Sequence, residues 1–152
     1  MIALILGAFT QAEIPTKVAE QKDTNTIVQS EVTDDLKLYF IDVGQADSIL
    51  ITSKDETMLI DAGNNEDGVD VVNFIKEKGI TKLNYVIGTH PHEDHIGGLD
   101  DVINAFDIEN VYLPDITTNT KTFEEVLNAI ENKHLEITTP QIGDTFTLGE
   151  SN

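Results

Sequence analysis

The alternation of apolar and polar positions along the chain changes period several times. Residues 36–43, Leu36-Lys37-Leu38-Tyr39-Phe40-Ile41-Asp42-Val43, are rich in β-branched and aromatic side chains and predict a strand. Ser48–Thr52 and Thr57–Ile60 predict two more, joined by connections short enough for antiparallel neighbours. Val69, Val72 and Ile75 then recur at helical spacing ahead of Gly79, so Asp67–Lys78 reads as a helix with a glycine stop. Tyr85–Ile87 is a short buried strand. Leu99, Val102, Ile103 and Phe106 form the apolar stripe of a second helix. Val111–Leu113 is a strand stopped by Pro114, and Phe123, Val126, Leu127 and Ile130 repeat the stripe in a third helix, with Thr122 and Glu125 as a capping box. Leu135–Thr138 and Thr145–Leu148 read as two final strands. A strand meander followed by alternating helices and strands predicts an α/β (α+β) domain, a mixed sheet covered by helices.

The first 35 residues differ in kind. Residues 1–12 are an apolar run ending in small residues, which reads as a signal peptide cut after Ala12; the lack of a basic start leaves a hydrophobic terminal strand as the alternative. Residues 13–35 are polar and read as a solvated linker, so the folded domain is expected at 36–152. No run approaches the ~20 apolar residues of a membrane-spanning helix.

Charge and composition narrow the chemistry. The 152 residues carry 28 Asp plus Glu against 9 cations, a net charge of −19, and every cation is Lys. Such a chain repels nucleic acid at long range, although bound divalent metals would invert the field locally. With no cysteine, disulfides, thiolate zinc sites and thiol nucleophiles are excluded. Any metal is held by His and carboxylates.

Three of the 4 histidines fall within Thr89-His90-Pro91-His92-Glu93-Asp94-His95-Ile96-Gly97-Gly98. Pro91 keeps His90 out of helical conformation, and residues two apart in an extended segment project to one side. His90 and His92 are therefore expected to converge on one cation, with Asp94 and His95 reaching a second. Imidazole and carboxylate without thiolate suit zinc first, with manganese or iron as alternatives. Two adjacent cations would clamp both the attacking and leaving oxygens of a displacement, which is hydrolase chemistry.

This segment resembles the His-x-His-x-Asp-His signature of the metallo-β-lactamase superfamily, and Leu59-Ile60-Asp61-Ala62-Gly63 is similar to the strand-end Asp motif that precedes it there. More narrowly, Asp42-Val43-Gly44-Gln45-Ala46-Asp47 resembles the opening motif of ComEC-like hydrolase domains, with Ala46 where that pattern usually has glycine. The resemblance implies an αββα sandwich with His90 and His92 on a first zinc, and Asp94 and His95 on a second. Asp94 would also orient the attacking water or accept its proton. Asp61 would brace the ligand loop from outside, a role also compatible with a plain strand-ending turn. Asp42 and Asp47 belong to the pattern without an evident role beyond the turn.

The resemblance stops short. A complete domain of that family is about twice as long in elements, and only 57 residues follow His95. His134 reads as a surface histidine at a helix C-terminus, and Asp107, Asp115 and Asp144 give no argument for a carboxylate bridging two metals. The expectation is therefore the N-terminal half of the sandwich, with an exposed inner face that a partner chain could complete. The resemblance implies a metal-dependent hydrolase of phosphodiester or related ester bonds, secreted or extracellular, with a cytoplasmic protein as the alternative. Its substrate would be a small molecule or a phosphodiester, nucleic acid included. The competing expectation is a metal-binding but inactive or partner-completed module; a structural domain with an incidental His cluster comes last.

Overall fold

The computed structural model describes residues 36–149. The expected signal segment 1–12 and linker 13–35 lie outside those residues. Ten elements follow in order: β1 (Lys37–Phe40), β2 (Ile49–Ser53), β3 (Glu56–Ile60), α1 (Gly68–Glu77), β4 (Lys82–Ile87), α2 (Glu93–Ile96), α3 (Leu99–Ala105), β5 (Asp107–Tyr112), α4 (Lys121–Asn132) and β6 (Ile137–Thr138). The six strands form one sheet in sequence order. β1, β2 and β3 are an antiparallel meander, whereas β3 to β6 run parallel. Parallel neighbours need crossovers, and helices supply all three. Each crossover advances one strand in the same direction, so right-handed connections leave the helices on a single face. There α1 packs on α3 and α3 on α4.

The sheet registers show how this face is filled. Leu50, Leu59, Val86 and Val111 are paired across four strands and all but inaccessible. Val71, Ile75, Leu99, Val102, Ile103, Val126 and Ile130 from the helices close over them. Most of the stripe residues that predict the helices bury, but Val69 is 60% exposed and Val71 takes its place in the core, while Leu127 is only partly buried; apolar area removed from water is the main stabilising term, at roughly 25 cal/mol per Å².

The opposite face carries a second apolar row, Phe40–Ile49–Ile60–Ile87–Tyr112, also paired strand by strand. No helix lies on it among the described residues. Phe40 is 75% and Leu38 49% exposed. The segment after β6 turns back across part of it: Phe146 sets its ring edge-on against Tyr85 and Tyr112, 5.7 and 4.9 Å between centroids, and Gly149 N–H donates to Glu56 Oε2 at 2.7 Å. The strand expected at Thr145–Leu148 is therefore an irregular strap. It is held by side chains because no strand lies alongside to share a ladder.

Other boundaries shift for local reasons. β4 and β5 begin three and four residues earlier than their apolar cores suggest, because Lys82, Asn84, Asp107 and Glu109 are polar ladder members. In both strands the buried residues are three apart, Leu83 and Val86 facing Ile108 and Val111, and the register resumes at Tyr85↔Asn110 after Leu83↔Ile108. Asn110 Nδ2 donates to the Asn84 carbonyl there. α1 has Asp67 and Lys78 as its flanking caps and ends on Gly79 at φ +76°, as expected.

α4 starts one residue before the anticipated capping box. Its N-cap is Thr120, whose hydroxyl accepts from Phe123 N–H, while Thr122 is buried and donates to Asn65 Oδ1. Thr120→Ala should cost about 1 kcal/mol in denaturant unfolding; no measurable loss would place the cap elsewhere.

Candidate metal centre

The site is built at the C-terminal ends of β3 and β4, where three loops interlock. β3 ends in Asp61, at φ +57°, a left-handed conformation that Asp tolerates better than most residues. This turn carries the chain across the top of β4: Asp61 N–H donates to the Ile87 carbonyl and Ser48 Oγ to the Asp61 carbonyl. The carboxylate, in a residue only 2% exposed, is thereby aimed at the ligand loop. It accepts from Thr89 N–H at 2.8 Å and Thr89 Oγ1 at 2.6 Å, and lies 2.8 Å from His95 Nδ1.

The ligand loop is more helical than expected. His92 is extended at φ −97°, ψ 152° and serves as the N-cap of the single turn α2, which contains Asp94 and His95. That turn went unread because Glu93-Asp94-His95-Ile96 is too short and polar for an apolar stripe. Its effect is to regroup the donors. Ligand atoms of His90, Asp94 and His95 all lie within 4.8 Å of one another, and this is the one such group among the described residues. The His90 and His95 rings lie 3.8 Å apart between centroids, tilted by 50°. The His92 ring is exposed, 4.7 Å from His90, and stands outside the group. His134 is exposed in a left-handed conformation after α4 and takes no part.

The donor chemistry fits a cation. Zinc takes nitrogen and oxygen ligands at about 2.0–2.2 Å, so its ligands stand roughly 3.5 Å apart, within small side-chain rotations of the present spacing. With Nδ1–H directed at Asp61, His95 keeps Nε2 as its free donor; Nε2 is 3.9 Å from Asp94 Oδ2. Thr89 was missed in the sequence, although it directly precedes His90. Its hydroxyl touches Asp61 and stands 3.3 Å from both His90 Nδ1 and His95 Nδ1.

Glycine is required where the loops cross. Gly97 N–H donates to the Gly63 carbonyl, and Ala62 N–H to the His95 carbonyl, at 2.8 Å each. A Cβ on Gly97 would fall on Asn64 and Asn65 backbone, and one on Gly98 would stand 2.5 Å from the Ala62 carbonyl oxygen. By contrast, a cavity of about 450 Å³ near Lys37, Lys54, Lys78 and Lys82 lies at the other end of the strands, away from these donors.

Comparison with known proteins identifies the family. Residues 41–151 match the family model of the metallo-β-lactamase superfamily. The chain belongs to that superfamily. It is 42% identical over 69 residues to the probable metallo-hydrolase YqgX of Bacillus subtilis, which covers 45% of this chain and 31% of that protein. Among solved structures, a metallo-β-lactamase from Cronobacter sakazakii aligns at 23% identity and TM-score 0.45, over 51% of this chain and 30% of that one. One from Novosphingobium pentaromativorans aligns at 26% and 0.44, over 51% and 29%. The chain thus spans about a third of the length of these relatives. Superfamily members are metallo-hydrolases, and the mixed α/β fold is the expected one. No described helix is long and apolar enough to cross a membrane.

Proposed function

We propose that this chain is the metal-holding part of a hydrolase that cleaves phosphodiester or related ester bonds at a zinc centre. The observation that carries the reading is the convergence of His90, Asp94 and His95 on one point, with Asp61 tethering the loop from behind. When bound, zinc supplies Lewis acidity and lowers the pKa of a coordinated water to about 7. The chain's own residues do the rest. His90 and His95 present neutral imidazole donors, and His95 is held in one tautomer by Asp61. Asp94, half-buried beside them, supplies a negative oxygen that orients the attacking water and accepts its proton. His92 lies on the exposed side of His90, so a second ion would be held with His92 and His90 on one ion and Asp94 and His95 on the other; manganese or iron would suit the same donors.

The ComEC-like subtype and a nucleic-acid substrate rest on the resemblance at 42–47, and the secreted or extracellular location also on the signal-like run at 1–12. A net charge of −19 opposes long-range attraction of DNA, which favours small phosphodiesters. A second reading is a metal-binding module without turnover, completed by a partner chain; three close donors and the open apolar sheet face favour it. Zinc-loaded chain assayed on bis(p-nitrophenyl) phosphate separates the two. Chelator-sensitive turnover supports the hydrolase, and stoichiometric zinc without turnover supports the module.

A further inference from the structure

Asp47 belongs to a motif whose chemistry is not absorbed by the ligand set. It lies in the loop between β1 and β2, 48 residues before His95, and that loop is locked into the metal centre through its main chain. Asp47 N–H donates to the Asp94 carbonyl at 3.0 Å, and the Asp47 carbonyl accepts from Gly63 N–H at 2.9 Å. Residue 47 is therefore pinned on both sides, to the turn that carries two ligands and to the turn that follows Asp61. Its carboxylate is not spent within its own loop: it makes no hydrogen bond among the described residues. Instead, Oδ2 stands 3.7 Å from His95 Nδ1. Asp42, at the other end of the motif, differs, since its Oδ1 accepts from Gly44 N–H and serves the turn alone.

We propose that Asp47 is a positioning residue for the Asp94–His95 pair, its carboxylate flanking the His95 imidazole from the Nδ1 side together with Asp61. The inference rests on the zinc reading above. Asp61 supplies the short hydrogen bond that selects the tautomer. Asp47 adds a second negative charge on the same edge of the ring, which makes the imidazole a stronger donor toward a cation at Nε2. Its main-chain bonds fix the backbone beside the ring, and the carboxylate, 67% exposed, reaches toward Nδ1 from there. Carboxylates placed behind ligating histidines typically change metal affinity by about 10–100-fold when removed. Asp47 is more distant than Asp61, so the lower end of that range applies.

The test uses the 152-residue chain, with zinc affinity measured by chelator competition and the site's electronic structure by cobalt(II) absorption. Asp47→Asn and Asp47→Ala should each weaken zinc binding about 10-fold and alter the cobalt spectrum, with metal-free melting unchanged. Asp47→Glu should recover part of the affinity, and Asp42→Asn should bind as wild type. Wild-type affinity and spectrum in both Asp47→Asn and Asp47→Ala would overturn the inference and leave the metal centre standing. Lower metal-free melting with a wild-type cobalt spectrum would also overturn it, by assigning the carboxylate to the loop. Absence of metal binding in the wild type would overturn the zinc reading and this inference together.

Discussion

Gly97→Ala should destabilise the chain by about 3 kcal/mol, seen as a lower denaturant midpoint and a melting temperature reduced on the order of 10 °C. Backbone conformation is not the reason, since Gly97 has φ −56°, ψ −44°, where alanine is intrinsically favoured by about 1 kcal/mol. The cost comes from space. The added Cβ would fall on the main chain of Asn64 and Asn65, including Asn64 Cα at 2.6 Å, and main chain cannot rotate away. Nor can the loop retreat, because Gly97 N–H is shared between the Gly63 and Glu93 carbonyls at 2.8 and 2.9 Å. Gly79→Ala is the control. A Cβ there meets nothing within 4 Å, so only the left-handed φ of +76° is penalised, at about 1 kcal/mol. Equal losses in the two variants would mean that the interlock of the β3–α1 and ligand loops is not tight.

Substitutions at Asp61 should separate stability from metal binding. Asp61→Ala leaves Thr89 N–H and the inner edge of His95 without their acceptor in a partly buried setting, at a cost of roughly 1–3 kcal/mol. Asp61→Asn keeps the shape and the oxygen that faces Thr89 N–H, so its stability cost is smaller. Its amide, however, turns an N–H toward His95 Nδ1, and the ring must then carry its proton on Nε2, the nitrogen a cation needs. Zinc affinity should fall about 10–100-fold in Asp61→Asn although most of the stability is retained. Parallel losses of stability and affinity in both variants would show that Asp61 only ends a strand.

How far the fold was legible depends on where the information sits. Val72, Ile75, Val102, Ile103, Val126 and Ile130 announce their helices because burial imposes a 3.6-residue period on them. The starts of β4 and β5 do not, because Lys82 and Glu109 form a 2.6 Å ion pair on the surface and carry no apolar signal. The cap of α4 was misplaced because Thr120 and Thr122 are equally good capping residues, and which one caps is decided by the contact of Thr122 with Asn65. The ligand residues were legible as a cluster, but the close approach of His90 to Asp94 and His95 was not. An extended reading pairs His90 with His92, whereas the turn of α2 brings His90 to Asp94 and His95. Thr89 and Asp47 act through contacts with residues 28 and 47 positions away, and local spacing does not encode these. The strap at 145–148 alternates like a strand and lacks only a neighbour, a condition set outside its own sequence.

The most direct test of the account is zinc stoichiometry by mass spectrometry, comparing zinc-reconstituted wild type with a variant carrying His90→Ala and His95→Ala. At least one zinc per wild-type chain is expected after exhaustive dialysis, and none in the variant. Zinc-free wild type, or equal zinc in both proteins, would contradict it.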